Sequence, residues 1–200
     1  AFGDNSLSKE LDDLGAVIDW LLSPQGPIPQ HAIDPARLYL LGHSRGGGTV
    51  LLKAAEDPRV KKVVTWAAIS DLKKRFREAD LETWREEGVL HIYNSRTEQR
   101  MPMYYKTWGP DFENPRTTIP ARAKEIEQPV LLLQGSDDTT VSEEEARELN
   151  GWIRNSRLKG LPGGDHTFGG SEPYPRAEMP PLALHATTLS LAVFHSADTE

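Results

Sequence analysis

Leu38-Tyr39-Leu40-Leu41-Gly42-His43-Ser44-Arg45-Gly46-Gly47-Gly48-Thr49-Val50 carries more structural information than any other part of this 200-residue chain. An apolar run of strand type, Leu38 to Leu41, stops at Gly42, and a helical pattern begins with Thr49, Val50, Leu51 and Leu52. Between them Gly42-His43-Ser44-Arg45-Gly46 is a G-x-S-x-G pentapeptide in strand–turn–helix order. That order is the setting of a nucleophile elbow, a sharp and strained turn that lifts a serine hydroxyl above the sheet. Glycines on either side let strand and helix approach closely, because they carry no Cβ. The turn also aims the first free N–H groups of the new helix at the space above the serine, where an oxyanion could be stabilised.

The rest of the composition narrows the class. Hydrophobic residues make up 38% and charged residues 26%, ordinary for a globular chain able to bury a core, and the length suits one domain or the larger part of one. A net charge of −7 without a basic stripe argues against nucleic acid or an anionic membrane as partner. Cysteine is absent, which excludes disulfides, thiolate catalysis and Cys-ligated metals. No apolar run reaches the length of a membrane span and no signal peptide opens the chain, so a cytoplasmic location is expected.

Outward from the elbow, strands and helices alternate. Leu7, Leu11, Leu14, Val17, Ile18, Leu21 and Leu22 recur in steps of three and four, an amphipathic helix ended by Ser23-Pro24. Val60 to Ala68 reads as a second strand buried on both faces, and Pro129 to Gly135 as a third. Ser142 opens a helix with Glu145 three residues on, a capping-box spacing. Ser156 to Leu161 reads as a short fourth strand, and Pro180-Pro181 starts a last helix. Residues 71–128 are charged, aromatic and interrupted by prolines. They read as an insertion over the sheet edge, with a helix near Leu72–Arg85 and either strand or helix at Val89–Tyr93. The pattern is that of an α/β domain with a mostly parallel sheet flanked by helices.

A serine hydroxyl needs a base, and the base needs an orienting carboxylate. The third strand runs into Gly135-Ser136-Asp137-Asp138, an acidic turn at the carboxyl edge of a parallel sheet, where ligand sites of such sheets lie. Beyond the fourth strand, Gly163-Gly164-Asp165-His166-Thr167-Phe168 places a histidine in a glycine-rich loop at that same edge. Asp137 and Asp138 both offer a carboxylate; Asp165 reads as a shaper of the histidine loop. His43 reads as structural, its ring packed beneath the elbow. Trp84, Tyr93, Tyr104, Tyr105 and Trp108 read either as a pocket lining or as a local core.

Through Gly42–Gly47, the Gly-x-x-Asp-x-x-Val pattern of Gly135 to Val141, and Gly164-Asp165-His166-Thr167-Phe168, the chain resembles the α/β-hydrolase superfamily. More narrowly it is similar to the dienelactone-hydrolase and prolyl-oligopeptidase-like branch. The resemblance implies Ser44 as nucleophile, Asp138 as acid, His166 as base and the Arg45 backbone N–H as one oxyanion donor. It implies a serine esterase acting on a small carboxylic ester, with no metal or organic cofactor. A prolyl-oligopeptidase-like peptidase or aminoacyl hydrolase is an alternative, and so is a non-catalytic small-molecule-binding homologue. The resemblance also implies several strands and a helix before the helix that precedes the elbow strand, whereas only Ala1–Leu22, one helix, comes before Leu38. The expectation is a longer polypeptide, or a second chain, that completes the sheet and supplies the second oxyanion donor.

Overall fold

A computed structural model describes residues 2–26, 28–94 and 98–168. Its first long helix, α1 (Leu7–Leu22), buries Leu7, Leu11, Leu14 and Ile18 at steps of four, three and four. Val17, which the periodicity also assigned to that stripe, is 43% exposed beside the exposed Trp20. Strand β1 (Leu38–His43) leads into helix α2 (Arg45–Glu56), and β2 (Val60–Trp66) follows. Next come helix α3 (Glu78–Glu87), a hairpin of β3 (Val89–Asn94) and β4 (Gln99–Tyr104), and two short helices, α4 (Tyr105–Trp108) and α5 (Ile119–Arg122). Strand β5 (Val130–Gly135), helix α6 (Glu143–Trp152) and β6 (Ser156–Leu161) complete the described elements. The helix expected from Pro180 lies outside the described residues.

β1, β2, β5 and β6 form one parallel sheet in that order, so β2 and β5 are its inner strands. β2 is less buried than its apolar content suggests: Val60 and Val63 are buried, but Lys61 and Lys62 between them are exposed. Each parallel crossover is made by a helix-containing connection, and α2 packs on both β1 and β2. All four strands run the same way, which brings the carboxyl ends of β1, β5 and β6 to one edge.

One buried apolar cluster joins sheet residues such as Leu40, Val63 and Leu132 to Leu11 and Ile18 of α1 and Leu51 of α2. Trp84, Trp108 and Ile119 from the region 71–128 belong to the same cluster. That region packs on the helix layer: Ile119 of α5 sits against Gly48 of α2, where a Cβ would come within 2.8 Å of its side chain. Val89–Tyr93, ambiguous in the sequence, is strand, paired antiparallel with β4.

Glu145 departs from the capping-box expectation. Ser142 is the N-cap of α6 but makes no side-chain capping bond. Glu145 is instead 3% exposed, accepting from Ser70 N–H (2.9 Å) and Ser70 Oγ–H (3.2 Å) and pairing with Arg75. A buried carboxylate needs several donors, and the segment after β2 supplies them.

Candidate active site

Ser44 stands between β1 and α2 with φ 55° and ψ −122°, a conformation L-residues avoid. Such strain costs on the order of 1–3 kcal/mol and persists only where neighbours enforce it. Here they do. The Ser44 N–H donates to the Trp66 carbonyl (2.8 Å), and its own carbonyl accepts from Gly47 (3.0 Å), Gly48 (3.3 Å) and Ile69 (3.3 Å). The close approach needs glycine at Gly42, where a Cβ would stand 2.2 Å from the Gly46 carbonyl oxygen. Gly47 needs it too, since a Cβ there would stand 2.5 Å from that of Ala68.

The loops after β5 and β6 meet above this turn. Asp137 N–H donates to the Gly164 carbonyl (2.9 Å), Ser136 N–H to that of Leu161 (3.1 Å), and Gly163 N–H to Ser136 Oγ (2.8 Å). Gly135 makes room for this contact, since a Cβ there would lie 2.1 Å from the Gly164 oxygen. Asp165 shapes the second loop by accepting from Thr167 N–H and Oγ–H (2.9 and 3.1 Å).

The result is a continuous chain of side chains. His166 Nε2 lies 3.0 Å from Ser44 Oγ, and His166 Nδ1 lies 2.9 Å from Asp138 Oδ2. A carboxylate can only accept from the ring, so Nδ1 carries the proton and the Nε2 lone pair faces the hydroxyl. Asp138 accepts from Thr140 N–H (2.8 Å) and Val141 N–H (2.9 Å) at Oδ1, and from Gln134 Nε2 (3.2 Å) at Oδ2. Burial pushes its carboxyl up, but the Val141 N–H, the His166 ring and the Thr140 N–H together hold it below the ordinary carboxylate range. Asp137 is exposed and accepts from Ser136 Oγ–H instead. Of the two carboxylates at this turn, only Asp138 meets the histidine.

Arg45 opens α2, so its N–H belongs to the first turn, where N–H groups have no partner within the helix. Its side chain runs away from the sheet: Nη2 donates to Glu10 Oε1 (2.8 Å) and the guanidinium lies 5.4 Å from the Trp108 ring centre. The His43 ring lies against the His166 ring, with ring centres 4.7 Å apart. Trp84 and Trp108 are 1% exposed, and Trp84 packs edge-on against Tyr105 and Phe112 while donating to the Met103 carbonyl (2.8 Å). Both tryptophans belong to the buried apolar cluster, with Tyr105 and Phe112 packed against it, whereas Tyr93 is exposed. Gln134 and Arg75 are parts of the site that the sequence reading missed. Arg75 Nη1 donates to the Thr140 carbonyl (2.7 Å), steadying the turn that holds Asp138. Gln134 did leave a signal, as the one polar residue at the end of the apolar run Val130–Leu133. Among the described residues no group of three or more His, Asp or Glu could hold a metal ion.

Comparison with known proteins bears on the fold. A comparison with curated proteins found no match. Among solved structures, the Est1E protein of Butyrivibrio proteoclasticus with bound ferulic acid superposes with a TM-score of 0.65 at 19% identity, covering 84% of this chain and 64% of that one. A monoacylglycerol lipase of Paleococcus ferrophilus gives 0.61 at 19% identity (82% and 68%), and an esterase domain from a Rhodothermus marinus protein gives 0.55 at 23% (84% and 63%). The chain thus spans about two thirds of the length of these structures. Residues 4–169 match the sequence profile described as alpha/beta hydrolase fold. The chain belongs to the α/β-hydrolase fold family.

Proposed function

We propose that this chain carries the catalytic groups of a serine hydrolase that cleaves small carboxylic esters. The observation that supports the reading is the unbroken hydrogen-bonded line from Ser44 Oγ through His166 to Asp138, at 3.0 and 2.9 Å, with the serine on a positive-φ turn. On this reading His166 Nε2 takes the Ser44 proton as Oγ attacks the ester carbonyl. The C–O bond to the alcohol breaks as His166 returns the proton to the leaving oxygen, and an acyl-enzyme remains on Ser44. Water then attacks the acyl carbon with His166 again as base, releasing the acid and restoring the serine. Asp138 holds the ring in the Nδ1–H tautomer and stabilises the imidazolium that forms. The Arg45 N–H donates to the oxyanion as charge develops.

The test is turnover of short-chain nitrophenyl esters and of aminoacyl-anilides by the wild type and Ser44→Ala. We expect faster turnover of the esters, reduced on the order of 10³- to 10⁶-fold in the variant. Anilide rates equal to ester rates would move the assignment to a peptidase or aminoacyl hydrolase. Absence of any Ser44-dependent turnover would favour a binding protein.

A further inference from the structure

We infer that His43 is a positioning residue for His166, holding the base loop through a hydrogen bond from its Nε2–H to the His166 carbonyl; this rests on the reading of Ser44, His166 and Asp138 above. The His43 Nε2 to His166 O distance is 2.8 Å. A carbonyl oxygen has no proton to give, so the proton must sit on His43 Nε2, which leaves Nδ1 bare in the neutral ring. The two rings also touch, 4.7 Å between centres and tilted by 43°. His43 therefore contacts both the backbone and the ring of His166. On its other side it meets Trp66 edge-on at 6.0 Å.

The loop needs such a hold. It leaves β6 through Gly163 (φ 72°) and Gly164 and reaches Phe168 at φ 54°, and although Asp165 shapes its turn by accepting from Thr167, those bonds lie within the loop and do not tie it to β1. It is tied before the histidine by Asp137 N–H to the Gly164 carbonyl, and after it by Phe168 packed edge-on to Trp66 at 4.7 Å. The His43 bond falls between those ties, at the residue whose ring must face Ser44. Because His43 directly precedes Ser44 on the end of β1, one rigid strand end sets both nucleophile and base. Burial holds His43 below the ordinary histidine range, although its bond to the His166 carbonyl pulls upward. A neutral His43 lets the adjacent His166 accept a proton without a second cation against it.

His43→Phe keeps a ring and removes the donor; His43→Gln offers an amide N–H near the Nε2 position. Three readouts apply: kcat and KM on a short-chain ester, the downfield proton resonance of the His166–Asp138 bond, and the tautomer of His43 in the wild type by nitrogen-15 correlation spectra. We expect His43→Phe to lower kcat about 10- to 100-fold with KM within about twofold, the range a misplaced base produces. It should also lose the downfield resonance. His43→Gln should recover most of kcat and the resonance, and the wild type should show the proton on Nε2. Wild-type kcat and resonance in His43→Phe would overturn the inference, as would a wild-type proton on Nδ1. If the phenylalanine variant does not fold, the tautomer and the glutamine variant decide. If the wild type turns over no ester, the hydrolase reading fails while the resonance and tautomer still decide the role of His43.

Discussion

Asp138 accepts four hydrogen bonds, from the N–H groups of Thr140 and Val141 on one oxygen and from Gln134 and His166 on the other. Burial would favour the neutral acid, but the Val141, His166 and Thr140 bonds to the charged form together outweigh it. The unfolded chain binds a proton here near an ordinary aspartate value of about 3.9, and the folded chain only at lower pH. The group's contribution to stability is therefore complete above about pH 4 and disappears as pH falls through the folded value. Asp138→Asn removes that ionisation. The stability gap between wild type and variant, followed by denaturant melts, should be widest near neutrality and narrow below about pH 4; a gap independent of pH would contradict the assignment. Ester turnover by the same variant should fall roughly 10³- to 10⁴-fold, because asparagine holds the imidazole in the wrong tautomer. At this scale the sequence was most informative about Ser44, whose turn is written in adjacent glycines. Residue types alone left Asp137 and Asp138 side by side, and only the resemblance of Gly135 to Val141 singled out Asp138, because which carboxylate turns inward depends on the Thr140 and Val141 amides. Arg75 was invisible for a similar reason: it reaches Thr140 from 65 positions away.

Helix α1 depends on a residue far along the chain. Its first N–H groups, at Leu7 and Ser8, donate to Asp111 Oδ2 (2.6 and 3.1 Å), while Lys9 N–H donates to the N-cap Ser6 Oγ (3.1 Å). Asp111 also accepts from Ser8 Oγ–H, its carbonyl accepts from Thr117 Oγ–H (2.7 Å), and it is 4% exposed. A carboxylate at a helix N-terminus gains from the dipole as well as from the bonds. Asp111→Ala would strand buried donors at a cost of about 1–3 kcal/mol. The melting temperature should fall by about 2–4 °C for each kcal/mol lost, measured by calorimetry. An unchanged midpoint would mean that the region 71–128 does not anchor α1. Periodicity located α1 within a residue, since four core leucines and isoleucines write its stripe, yet it could not see this cap. The spacing of Ser142 and Glu145 misled for the converse reason. The local pattern fits a capping box, but Ser70 and Arg75 compete for the glutamate and win it.

Across the molecule, the parallel order β1–β2–β5–β6 does the work of convergence. Residues 44, 138 and 166 are separated by long connections, yet each lies just beyond a strand whose carboxyl end points to one edge. That much was legible, because strand–helix alternation implies a parallel sheet and a parallel sheet has one functional edge. The path of residues 71–128 was not, since their anchoring to α1 and α2 rests on Asp111 and Ile119 contacts that no local period encodes. Among the described residues no helix is long and apolar enough to cross a membrane. Whether Ser44, His166 and Asp138 act as one catalytic unit is best asked of the chain itself, by intact mass spectrometry after treatment with a fluorophosphonate probe. We predict one equivalent of label, mapped to Ser44, lost in Ser44→Ala and strongly slowed in His166→Ala. A folded chain that takes no label, or one whose label survives Ser44→Ala, would contradict the assignment of Ser44 as the nucleophile.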